Sequence, residues 1–202
     1  MKNLIHIIFI IFILSPLSAF SDETSKPLPG RVLGDENATI IIEEYASMSC
    51  GHCANFHNKT IKDIKKEFID TGKAKLIFND FPLDQRAGLA SMITQCMGKE
   101  QFFSVLNRLF QKQIDWTQAD WKKQDDIVDS FYNVLKPLGV NKDTIKSCIV
   151  DTPENQNRWS SLDAGRKYAM DIKGVEATPT FFVNGKKVEG TFNIDTLKEL
   201  LK

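Results

Sequence analysis

Cys50-Gly51-His52-Cys53 follows closely on the apolar, β-branched run Thr39 to Tyr45 and opens a stretch with helical periodicity. Two thiols therefore sit where a strand hands over to a helix. That junction is the strongest constraint in the chain, because it demands a strand that ends just where a helix begins. At a helix start the first cysteine meets unpaired backbone N–H groups and the positive end of the helix dipole, which favour its thiolate. The second cysteine lies one turn deeper. A CxxC pair also serves zinc sites, but those need a second pair of ligands at suitable spacing. The other cysteines, Cys96 and Cys148, stand far from each other and from any close histidine, so dithiol redox chemistry is the leading reading and metal binding the lesser one.

The segment before the strand says where such chemistry would occur. Lys2 supplies a short positive region, Leu4 to Leu14 form an apolar core interrupted only by His6, and Pro16 breaks it. Residues 1–21 read as an export signal cut after Ser21, with a cut after Ala19 as second choice. An uncleaved anchor is the alternative, although the apolar core falls short of the roughly 20 residues that span a bilayer. Export puts the body of the protein in an oxidising compartment, where disulfides persist. Lys+Arg and Asp+Glu both total 26, for a formal net charge of zero. No basic surplus points to nucleic acid.

Residues 22–36 are polar, with Pro27, Pro29, Gly30 and Gly34, and read as a linker. Thr39 to Tyr45 reads as a central strand, and a helix runs from the CxxC to about Asp70, closed by Thr71-Gly72. Lys75 to Phe78 is a second strand, followed by a turn signal at Asn79 to Pro82. From Gln85 to Asp171 the periodicity is helical. Strand character returns at Thr180 to Val183, Asn184-Gly185 signals a two-residue hairpin, Lys186 to Val188 returns, and a last helix covers Ile194 to Leu201.

This order resembles the thioredoxin fold with a helical domain inserted between its halves, as in the DsbA-like thiol oxidoreductases. The resemblance rests on Glu44, Cys50-Gly51-His52-Cys53, Asp80-Phe81-Pro82-Leu83 and Ala177-Thr178-Pro179-Thr180-Phe181-Phe182. It implies an α/β, thioredoxin-like domain from residues 37–84 and 172–202, with 85–171 as the inserted all-helical domain. It also implies a periplasmic enzyme that introduces disulfide bonds into reduced, cysteine-containing exported proteins. Such an enzyme needs no bound cofactor, and a membrane quinone-linked partner reoxidises it. A disulfide isomerase or reductase is the nearest alternative; a metal-binding chaperone is the alternative from another class.

The resemblance also assigns roles. Cys50 is the nucleophile and Cys53 the resolving thiol, together the redox-active disulfide. His52, between them, is placed to tune the Cys50 thiolate. Glu44 lies six residues before Cys50 on the preceding strand, and the resemblance makes it the proton relay for Cys53 in preference to its neighbour Glu43, which alternation sends to the opposite face. Thr178-Pro179 occupies the family's cis-proline position, which turns Thr178 towards Cys50 to line the substrate groove. His57 reads as a surface residue or, less readily, as a metal ligand beside the thiols. The even cysteine count in an exported chain points to a structural Cys96–Cys148 disulfide, with two buried free thiols or a second redox pair as alternatives.

Overall fold

Thr39 to Tyr45 supplies the central strand, because three successive isoleucines send apolar side chains to both faces of the sheet. The computed structural model describes residues 25–202, so the expected signal segment lies outside the described residues. Five strands form one mixed sheet: β1 (Arg31–Gly34), β2 (Ile40–Ala46), β3 (Ala74–Asp80), β4 (Thr180–Val183) and β5 (Lys186–Lys187). Their order is β1-β3-β2-β4-β5, with β2 and β3 parallel and the other pairs antiparallel.

The linker reading of 22–36 needs correction at its end. Arg31–Gly34 pair with Lys75 to Phe78 as an edge strand. The four-residue strand is too short to declare a period among its prolines and glycines, yet it covers hydrogen-bonding groups that β3 would otherwise expose. Arg31 anchors it, donating from Nε and Nη2 to Oε1 of Gln95, whose Nε2 donates to the partly buried Asp80.

The parallel β2–β3 pair needs a crossover, and the helical run over residues 51–69 supplies it. Helix α1 (Gly51–Asn55) passes into a π-helical turn Phe56–Thr60, then α2 (Ile61–Ile64) and a second π-helical turn Lys65–Ile69. Gly72, at φ 73°, ends it in the left-handed conformation that glycine adopts without cost. Ile42, Leu76, Phe181 and Val183 of the sheet pack with Phe56, Ile61 and Ile64 of this run. On the opposite face, Tyr45 and Phe182 meet Ala169.

Between β3 and β4 the chain is helical: α3 (Gln85–Cys96), α4 (Gly98–Gln111), α5 (Gln113–Thr117), α6 (Gln124–Leu135), α7 (Lys142–Ile149) and α8 (Pro153–Asp171), with α9 (Ile194–Leu200) closing the fold. The insertion is not sealed off from the sheet domain. One cluster of buried side chains joins Met48, Cys53, Ala54 and Phe78 to Phe102, Leu106, Leu109, Phe110, Trp116 and Phe131. A disulfide links Cys96 on α3 to Cys148 on α7, so these two are not free thiols. Asn184 and Gly185 both have positive φ, as the two central residues of a type I′ hairpin require.

Candidate active site

The CxxC opens α1 with Cys50 itself as N-cap, so its sulfur accepts from the Cys53 N–H at 3.3 Å in place of the usual hydroxyl or carboxylate. Cys50 is half-buried and Cys53 is fully enclosed. Their environments push the two thiols apart. The Cys50 thiol falls from an ordinary 9.0 to about 5, chiefly through the hydrogen bond from the Cys53 side chain, opposed by burial and reinforced by the Thr178 side chain and the backbone N–H groups of Cys53 and His52. Cys53 moves strongly upward, because burial disfavours its thiolate first, and the neighbouring Cys50 and Glu44 charges disfavour it further. Near neutral pH the pair is one thiolate and one thiol.

The Thr178–Pro179 peptide bond is cis. The Thr178 carbonyl lies 3.3 Å from the Cys50 sulfur and accepts its S–H when the thiol is protonated. That contact favours the thiol, but the donors around the sulfur outweigh it. Pro179 lacks a backbone N–H and leads directly into β4, where Thr180 pairs with Tyr45. Residues more than 120 positions apart in sequence therefore meet at the first sulfur.

Glu44 is buried at 0% exposure, on the sheet face beneath the CxxC helix. Glu43 faces the other way, paired with Lys173 at 3.1 Å. His52 is exposed, and among the described residues no hydrogen bond joins its imidazole to Cys50; its contribution to the sulfur comes from its backbone N–H. His57 departs from the surface reading. It is buried at 7% exposure with Nε2 against the Glu44 carboxylate at 3.0 Å. The signal was its spacing: four residues after Cys53, it falls on the buried face of the same helical run.

Gln113, which the sequence did not flag, reaches from α5 of the insertion and donates through Nε2 to the carbonyls of Met48 at 2.7 Å and Cys50 at 3.0 Å. The inserted helices thereby hold the turn that carries the nucleophile. Among the described residues no cluster of three or more His, Cys, Asp or Glu has the proximity to hold a metal ion.

The sequence profile of the family described as thioredoxin matches residues 26–202. The chain belongs to the thioredoxin family. Within the family it is DsbA-like, with the helical insertion of that group. The crystal structure of Wolbachia pipientis alpha-DsbA1 superposes with a TM-score of 0.73 at 28% identity, covering 87% of this chain and 91% of that one. Disulfide bond formation protein D of Bacillus subtilis is 26% identical over 175 residues, 85% of this chain and 75% of that protein. A Rickettsia conorii protein named as a protein-disulfide oxidoreductase is 26% identical over 166 residues, 82% of this chain and 57% of its own length. The chain thus spans a little over half the length of that relative. Among the described residues no helix is long and apolar enough to cross a membrane.

Proposed function

We propose that this DsbA-like protein is a periplasmic thiol-disulfide oxidoreductase that introduces disulfide bonds into reduced, cysteine-containing exported proteins. The observation that carries the reading is the asymmetry of its two thiols, with Cys50 lowered to about 5 and Cys53 pushed far up. A substrate thiolate attacks the Cys50 sulfur of the Cys50–Cys53 disulfide. The S–S bond breaks, its electron pair leaves on Cys53, and the buried thiolate takes up a proton by way of Glu44. A second substrate thiolate then attacks the substrate sulfur of the mixed disulfide, and Cys50 leaves as a thiolate. The substrate is oxidised by two electrons and the enzyme pair is reduced. A well-stabilised leaving thiolate at Cys50 drives the exchange towards substrate oxidation.

Thr178 and cis-Pro179 border the sulfur and offer an extended substrate segment a backbone edge beside the reacting atoms. A membrane quinone-linked oxidase, implied by the resemblance, restores the Cys50–Cys53 disulfide. Gly51-His52 resembles the intervening pair of protein disulfide isomerases, which keeps isomerase or reductase activity as the second reading.

Oxidative refolding of a reduced, multi-cysteine protein tests the proposal. Catalysed disulfide formation that disappears in Cys50→Ser is the expected result. Equilibration with glutathione measures the potential: a value near thioredoxin's, about −270 mV, would refute the oxidase reading and leave a reductase.

A further inference from the structure

Among the described residues, the side chain hydrogen-bonded to the Glu44 carboxylate is that of His57. Both side chains are out of solvent, at 0% and 1% side-chain exposure. Nε2 lies 3.1 Å from Oε1 and 3.0 Å from Oε2, so a single N–H addresses both carboxylate oxygens. The ring is stacked on Phe110 of α4 at 4.4 Å, with Phe78 of β3 and Phe56 of its own helix edge-on. Among the described residues, Glu44 is the titratable side chain in contact with the His57 ring.

His57 Nδ1 is buried and has no hydrogen-bond partner among the described residues. This selects the tautomer. A ring carrying its hydrogen on Nδ1 would bury an N–H without an acceptor, at a cost of about 1–3 kcal/mol. With the hydrogen on Nε2, the N–H is satisfied by Glu44 and only a lone pair is left bare. His57 therefore acts as a donor to Glu44, locked in angle by its aromatic sandwich.

We propose that His57 is a positioning residue whose Nε2–H holds the Glu44 carboxylate in place as proton acceptor and donor for Cys53. The inference rests on the thiol-exchange reading above. When Cys50 is held in a mixed disulfide, the Cys53 S–H proton passes to Glu44, and the Cys53 thiolate attacks the Cys50 sulfur. The Cys50–Cys53 bond forms, the mixed disulfide breaks, and its electron pair leaves on the departing thiol. In the opposite direction Cys53 leaves with the electron pair and regains its proton from Glu44. His57 keeps its own hydrogen throughout: both oxygens are in reach, so Nε2–H donates to the carboxylate before transfer and to the carbonyl oxygen of the carboxyl after it.

The test isolates the step that uses Cys53. Protein carrying a glutathione mixed disulfide on Cys50 is followed by stopped flow as Cys53 expels glutathione, from pH 5 to 9. His57→Phe keeps an aromatic ring on Phe110 and removes the donor; it is expected to slow release about tenfold at pH 7 and move the profile to higher pH. His57→Gln, which restores an amide donor, recovers most of the rate. In a Glu44→Gln background, His57→Phe has no further effect. A His57→Phe profile within twofold of wild type, or an equal loss in the Glu44→Gln background, overturns the proposal. Nitrogen NMR of the unmodified protein reads the tautomer without any substitution, and a hydrogen found on Nδ1 also overturns it. Failure of the functional reading is separate: it would appear as wild-type protein that does not oxidise a reduced substrate, whatever His57 does.

Discussion

Replacing Cys53 with alanine reports directly on what holds the Cys50 thiolate. The Cys50 thiol lies at about 5 against an ordinary 9.0, and the Cys53 side chain is the largest contributor. Taken whole, that drop corresponds to about 5 kcal/mol of preference for the thiolate. Half of the sulfur's surroundings is open to water, so screening reduces its effective worth to about 2–3 kcal/mol. Cys53→Ala removes the S–H donor but keeps the backbone N–H groups of residues 52 and 53. A hydrogen bond to a charged group is worth about 1.5–3 kcal/mol, so the Cys50 titration should rise by about one to two pH units. Thiolate absorbance at 240 nm, or the pH dependence of iodoacetamide alkylation, measures it. The same shift sets the pH dependence of stability. Because the folded value is depressed, the thiolate's contribution to the reduced protein grows as pH rises from about 5, is complete above about 9, and is lost as pH falls through about 5. The oxidised protein has no Cys50 thiolate and lacks this component. A wild-type titration near 9.0, or a Cys53→Ala midpoint unchanged or lower, refutes the reasoning.

Other perturbations probe the supports of the site. Gln113→Ala leaves the Met48 and Cys50 carbonyls without their side-chain donor; a loss of about 1–3 kcal/mol in urea unfolding is expected, with slower attack of substrate thiolates on Cys50 in stopped flow. Removing the Cys96–Cys148 disulfide by double substitution to alanine opens a loop with a sequence separation of 52; the unfolding midpoint should fall by about 4 kcal/mol equivalent in the chain-entropy account. Phe110→Ala empties a fully buried position against the His57 ring; a cost of about 3–5 kcal/mol is expected by chemical denaturation.

Much of the site was legible because its chemistry is local. A cysteine pair at a strand-to-helix junction announces a nucleophile at a helix start, while Glu44, on the preceding strand, was singled out by resemblance. Thr178-Pro179 was legible only by resemblance, since a proline before a strand is ordinarily trans. His57 was misread as a surface side chain because its burial depends on Phe110, which arrives from the insertion. Gln113 carried no signal at all: a glutamine in a polar stretch becomes a clamp only when α5 is laid over residues 48–50. Arg31–Gly34 was hidden for a related reason, since an edge strand of four residues is defined by the partner it covers.

The sequence by itself determined the order of most elements and the two thiols, because periodicity and helix-start chemistry act over a few residues. Tertiary structure decided how far the two cysteines diverge. Cys50 and Cys53 have the same intrinsic chemistry, and they differ because packing encloses one beside Glu44 and leaves the other half-open, ringed by donors and by the Thr178 carbonyl. Burial and hydrogen bonding are properties of what surrounds an atom, and those surroundings are assembled from β2, β4 and the inserted helices only on folding.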